Sequence, residues 1–145
     1  MKNFRKIFFG IITFTICSCT QNGGHIGRLF GSWYLYEMTV DNVPQDFDGE
    51  DCFWGFQANI IQITCTDNFH NATRYVGSWS EAENILTLSF DYSDDHNKYT
   101  TPAFLLFPDE HEFHLEYIEK GKKTMTLQRI DNEGKKYIYH LKHTY

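Results

Sequence analysis

Phe113-His114-Leu115-Glu116-Tyr117-Ile118-Glu119-Lys120-Gly121-Lys122-Lys123-Thr124-Met125-Thr126-Leu127-Gln128-Arg129-Ile130-Asp131-Asn132-Glu133-Gly134-Lys135-Lys136-Tyr137-Ile138-Tyr139-His140-Leu141 holds three successive runs of alternating apolar and polar residues. Phe113, Leu115 and Tyr117 share one face of a strand, and Met125, Leu127 and Arg129 share a face of the next. A loop of Lys120-Gly121-Lys122 sets Tyr117 opposite Met125 and Leu115 opposite Leu127. One residue more or fewer would oppose those apolar groups to Thr124, Thr126 and Gln128. With Asn132-Glu133-Gly134 as the next loop, Leu127 meets Tyr139, Met125 meets Leu141, and Gly134 takes the left-handed position. These three strands form a meander with one shared apolar face.

The same pattern extends toward the N-terminus. Aromatic residues make up 17% of the chain and prolines number only three. Short runs alternate with turn clusters and no long helical period appears, as in an antiparallel all-β domain. Strands are expected over Leu29–Val40, Cys52–Gln57, Ile60–Thr66, Phe69–Trp79, Ile85–Tyr92, Lys98–Phe107, His111–Glu119, Lys123–Ile130 and Lys135–His143. Their near-continuous succession leaves no room for the crossover helices that parallel strands need.

Cys52 and Cys65 test the register of the first hairpin. If Ala58-Asn59 is a two-residue turn, Gln57 pairs with Ile60 and Cys52 falls opposite Cys65, close enough for a disulfide. If Cys52–Thr66 is instead one long strand, the cysteines face opposite sides and cannot meet.

The chain opens with Lys2, Arg5 and Lys6, followed by the apolar run Ile7–Ile16, and nothing acidic precedes Glu37. A cationic head and a short apolar run make a secretory signal, too short for a bilayer-spanning helix of about 20 residues. Ile16-Cys17-Ser18-Cys19 resembles the lipobox of bacterial lipoproteins. Small Ser18 before Cys19, against bulky Ile16 before Cys17, places cleavage after residue 18 and the lipid on Cys19. Residues 1–18 are thus read as signal peptide, 19–28 as a polar, Gly-rich tether, and 29–145 as the folded domain. The mature part carries ten basic against nineteen acidic residues, a formal charge of −9, which suits neither nucleic acid nor an anionic lipid surface.

Leu29-Phe30-Gly31-Ser32-Trp33-Tyr34-Leu35 opens the domain with Gly-x-Trp, and Gly77-Ser78-Trp79 repeats it before the apolar run Ile85-Leu86-Thr87-Leu88. With the lipobox, the cysteine pair and the hairpin from Met125 to Tyr137, this order resembles the lipocalin (calycin) superfamily. More narrowly, it is similar to the short lipocalin-like lipoproteins of Bacteroides-type bacteria, over roughly Leu29 to Tyr145. The resemblance implies a small up-and-down barrel of about eight strands. It also implies that Gly31 and Trp33 close one end, with Trp33 packed beneath a basic side chain from a late strand, for which Arg129 is the candidate. The chain is short for a full lipocalin, which argues against a large internal cavity.

Catalytic motifs are absent: there is no nucleotide loop, no Gly-x-Ser-x-Gly elbow and no zinc-type cysteine cluster. His111 and His114, like His140 and His143, are three apart and point to opposite faces of a strand, so neither pair chelates a metal. Asp46-Phe47-Asp48-Gly49-Glu50-Asp51 lacks the spacing and the distal glutamate of a calcium loop, and Asp94, Asp95 and His96 read as a solvated turn. Tyr34, Tyr36, Phe53, Trp54, Phe56, Tyr75, Trp79, Phe90 and Tyr92 supply core, and any that line a cavity suit an apolar ligand. The expected protein is a monomeric, non-catalytic binding protein without cofactor or nucleic-acid partner, held to the membrane by its lipid. It would carry an unidentified small apolar ligand in the barrel mouth. The alternative is a filled barrel acting as a protein-interaction or protease-inhibitor-like module. Thr20 after Cys19, with no acidic run following, points to the outer membrane and its periplasmic side.

Overall fold

Inward apolar and outward polar side chains alternate along most of the nine strands of a computed structural model that describes residues 27–46, 51–90 and 111–144. They are β1 (Gly31–Val40), β2 (Val43–Pro44), β3 (Asp51–Gln57), β4 (Ile60–Thr66), β5 (Ala72–Ala82), β6 (Ile85–Ser89), β7 (Glu112–Lys120), β8 (Thr124–Ile130) and β9 (Lys136–Thr144). All pairings are antiparallel, in the order β2-β1-β3-β4-β5-β6-β7-β8-β9, and β1 also pairs with β9. Eight strands therefore close into an up-and-down barrel, with β2 a short appendage of β1. The expected strand Lys98–Phe107, the signal segment and most of the tether lie outside the described residues.

The register explains why these residues fill the interior. Leu127 pairs with Tyr139 and Met125 with Leu141, as the alternation predicts, and Gly134 takes a φ of 83° in its loop. The β7–β8 register differs from the expected one. Tyr117 pairs with Leu127 rather than Met125, and Lys120 pairs with Met125, so the loop holds four residues, not three. An even loop would turn every side chain to the wrong face. A bulge at Ile118, between Tyr117 and Glu119, restores the parity and leaves Ile118 exposed. Phe113, Leu115 and Tyr117 thereby keep their inward orientation.

Trp33, Trp54, Phe56, Ile61, Ile63, Leu86, Leu88, Phe113, Leu115, Leu127, Tyr139 and Leu141 are at most 1% exposed and make one continuous core. Burying a side chain of this size contributes about 1.5–3 kcal/mol. β5 serves two neighbours: its first half pairs with β4 and its second with β6, with Ser78 common to both. Gly77 sits at this changeover, where a Cβ would collide with the Ser89 carbonyl and the Phe90 ring. The second Gly-x-Trp thus has a steric basis, since the backbone of one strand runs against that of the next.

The first hairpin has the two-residue turn, Gln57 pairing with Ile60, and Ala58 is forced to a φ of 52°. A left-handed alanine costs about 1–2 kcal/mol, and glycine removes that strain while costing somewhat more chain entropy. Ala58→Gly is expected to raise the urea midpoint by an amount equivalent to about 0.5–1 kcal/mol. Gly77→Ala, the same atoms in the opposite direction, is expected to lower it by about 1–3 kcal/mol. Equal midpoints for the two variants would contradict both assignments.

Candidate functional site

The two ends of the barrel are chemically distinct. At one end lie the start of β1, the β3–β4, β5–β6 and β7–β8 turns, and the end of β9. Trp33 is fully buried there and donates its indole N–H to the Leu29 carbonyl, 3.0 Å away. The His143 ring meets Trp33 edge-on at 4.9 Å between centroids. Gly31, at a φ of 114°, leaves room for that imidazole, because a Cβ would stand 2.8 Å from its Nε2. Gly31 and Trp33 thus lie together at this end, while Arg129, the basic side chain that the resemblance suggests over Trp33, does not join them. It lies six residues along β8 from Lys123, whose carbonyl accepts the His143 amide, a strand distance of about 20 Å.

The cation that covers the closed end comes from the chain's entry instead. Arg28 donates to the Gly121 carbonyl at 3.3 Å and to Glu81 at 3.2 Å, while Lys120 reaches the same Glu81 oxygen at 2.7 Å. Both cations stand over the Tyr117 ring, at 5.1 and 4.5 Å from its centroid. Burial pushes the Glu81 carboxyl up, but the Lys120 hydrogen bond and the two positive charges outweigh it and hold the group below its ordinary value. No sequence signal groups Arg28, Glu81 and Lys120, which lie 39 to 92 positions apart.

At the other end, Arg129 is 5% exposed, with its guanidinium 5.4 Å from the Phe113 ring centroid and 5.2 Å from that of Tyr137. Phe90 flanks Phe113 at 6.0 Å. Burial raises the Tyr139 hydroxyl, against the pull of the nearby Arg129 charge. Tyr139 in turn packs on Trp54 at 5.9 Å, so arginine, tyrosine and tryptophan form a connected column into the barrel. The Trp54 indole N–H is fully buried and has no acceptor among the described residues. Orphaned buried donors are rare and call for an explanation. Asp131, beside the column, is engaged by the Glu133 and Lys135 amides and the Tyr137 hydroxyl.

Cys52 and Cys65 also lie toward this end, paired across β3 and β4 as the two-residue turn requires, with their Sγ atoms 2.7 Å apart. Both are buried thiols here. Among the described residues no group of three metal-binding side chains converges. His114 contacts Glu112 and Thr87, His140 contacts Thr126, and His143 contacts Trp33 and the Phe30 carbonyl. Residues 47–50 and Asp94, Asp95 and His96 lie outside the described residues. A groove of about 540 Å3 lies outside the barrel, along β1, β3 and β4.

A family model described as a lipocalin-like domain matches residues 13–135. The chain belongs to the lipocalin-like family. Two solved structures share the fold of this lipocalin-like chain. One is a lipocalin-like protein from Bacteroides uniformis, at a TM-score of 0.60 and 17% identity, covering 81% of this chain and 100% of its own. The other is an uncharacterized protein from Bacteroides eggerthii, at a TM-score of 0.56 and 20% identity, covering 77% and 98%. No curated protein matches the sequence.

A carboxylate held below its ordinary pKa contributes stability that is present above the unfolded value and lost as pH falls through the folded one. For Glu81 that window lies below its ordinary 4.5. Glu81→Gln is expected to lower stability at pH 7 by roughly 0.5–1 kcal/mol and to flatten its decline toward pH 3. Parallel pH curves for the two proteins would rule this out.

Proposed function

We propose that this lipocalin-like chain is a non-catalytic, lipid-anchored binding protein of the cell envelope. Its ligand is a small apolar molecule with a hydrogen-bond acceptor, preferably anionic, held at the Arg129 end. The Trp54 N–H, fully buried and without an acceptor among the described residues, carries this reading, with the Arg129 guanidinium, beside Tyr139 and Asp131, nearer the mouth. Both groups are donors only. A carboxylate on an otherwise apolar molecule complements them, and Phe90, Phe113 and Tyr137 supply apolar contact. A filled barrel acting through its surface is the second reading, favoured by the full burial of Trp33, Trp54 and Tyr139 and by the groove outside the barrel.

Anchoring follows from Cys19 as the acylated residue after removal of residues 1–18, on the periplasmic side of the outer membrane. In that oxidising compartment Cys52 and Cys65 are joined as a disulfide, for which their register and 2.7 Å separation are suited. Intact-mass measurement on protein extracted from membranes is expected to show loss of residues 1–18, acylation at Cys19, and two hydrogens fewer on the remaining cysteines. An unmodified Cys19 would end the anchoring proposal, and two free thiols the disulfide.

Titration with a dansylated undecanoic acid tests the ligand reading. Arg129→Met is expected to weaken this carboxylate about tenfold while leaving the matching alcohol unchanged, since a charged hydrogen bond contributes about 1.5–3 kcal/mol. Trp54→Phe is expected to weaken both. Absence of binding to the wild type would favour the filled barrel.

A further inference from the structure

The outer face of β1, β3 and β4 carries a second constellation, independent of the barrel interior. Ser32, Gly55 and Gln62 stand side by side in register on that face. Gly55 lacks the side chain that every neighbour has, and the gap it leaves forms part of the groove of about 540 Å3. This lies within the range of about 300–1,000 Å3 for small-molecule sites. Toward the Arg129 end the gap is bounded by Phe53, whose ring is held against Tyr34 at 5.2 Å between centroids. Toward the closed end stand Phe30 and Ile60, each about half exposed.

The lining is unusual for this protein in one respect. Charged residues make up 22% of the chain, yet no lining residue is ionisable. Its polar groups are amides and hydroxyls, from Gln57, Gln62, Ser32 and Thr64. Gln62 donates its amide to the Thr64 hydroxyl at 3.1 Å, which fixes the amide's orientation and leaves its carbonyl oxygen an acceptor. A charged ligand would find no counter-ion in the lining itself, Arg74 standing beyond it, opposite Thr64. A purely apolar one would strip water from four polar side chains and return nothing. A flat ligand with C–H groups on its faces and hydroxyls at its edge meets both demands. Its C–H groups lie on the electron-rich faces of Phe30 and Phe53, and its hydroxyls both donate to and accept from the amides.

We infer that this groove is a binding site for a neutral saccharide, with Phe53 and Phe30 as stacking platforms and Gln57 and Gln62 as the hydroxyl-reading groups. The proposal does not depend on the ligand assigned to the barrel interior. Gly55 provides a clean test, because its φ is unstrained and an added Cβ would meet only the Gln62 carbonyl at an ordinary 3.5 Å. Longer side chains would fill the groove from its floor without disturbing the ladder.

The full-length protein, extracted in a non-glycosidic detergent, is titrated with maltose, cellobiose, lactose and chitobiose, with glucuronate as the anionic control. Binding is followed by saturation-transfer NMR and calorimetry. At least one neutral disaccharide is expected to bind in the micromolar to millimolar range, and glucuronate at least tenfold more weakly. Gly55→Leu is expected to weaken binding tenfold or more with an unchanged melting temperature, Gly55→Ala to retain most of it, and Arg129→Met to leave it intact. The proposal is overturned if none of the four disaccharides binds below about 10 mM. It is equally overturned if glucuronate binds as well as they do, or if folded Gly55→Leu binds like the wild type. Loss of saccharide binding in Arg129→Met would assign the site to the barrel interior and remove it from this face.

Discussion

The pairing of β1 with β9 is the constraint from which the rest of the molecule follows. It runs from Ser32 opposite Thr144 to Val40 opposite Tyr137, with a bulge between Leu35 and Glu37. Without it the sheet would present two long edges, each a row of unpaired backbone groups open to other chains. With it, β1 must satisfy β3 along its first half and β9 along nearly all of its length. That double duty fixes Trp33 beside Trp54 on one side and His143 on the other. It also makes Gly31 necessary, because the closing strand delivers the His143 ring onto the backbone where β1 begins.

Closure leaves two ends, and the chain treats them differently. The closed end is sealed by Trp33 and covered by a charge-balanced cluster in which Glu81 serves both Arg28 and Lys120. Partly exposed pairs of this kind contribute little stability individually, but they hold residues 27–30 against the barrel and so fix where the chain enters. Among the described residues, the other end has the reverse character. A guanidinium is buried among aromatic rings, where an apolar side chain of similar volume would be at least as stable. The Tyr139 hydroxyl and the Asp131 charge beside the guanidinium supply part of its compensation.

Local alternation carried most of the fold. The meander, the Cys52–Cys65 register and the left-handed Gly134 are all consequences of period two and loop parity, which neighbouring residues determine. The β7–β8 register was not legible, because a bulge trades one residue of strand for one of loop and leaves the inward set unchanged. Nor could alternation distinguish the two ends. It placed Arg129 inward, correctly, but carried no information on height along the barrel, so analogy paired it with Trp33 at the wrong end. The Arg28–Glu81–Lys120 cluster and the groove around Gly55 join residues from separate strands and leave no local pattern. Glycine in a strand reads as weakness until its neighbours are known.

What remains is a question of volume. Strands of seven to eleven residues bound most of this barrel, and its interior takes in two fully buried tryptophans together with Tyr139, Phe56 and Phe113. Side chains of that size use up the inside of an eight-stranded barrel, which at this strand number is only wide enough to be filled or to hold one small ligand. Both proposed binding sites lie where that filling stops. One is the column at the Arg129 end, where polar donors replace hydrocarbon between Trp54 and Arg129. The other is the outer wall, where a single glycine among aromatic and amide neighbours opens a groove that the interior has no room to supply. A larger lipocalin-like barrel could bind inside with plain walls; a small one must put its specificity at its rim or on its surface.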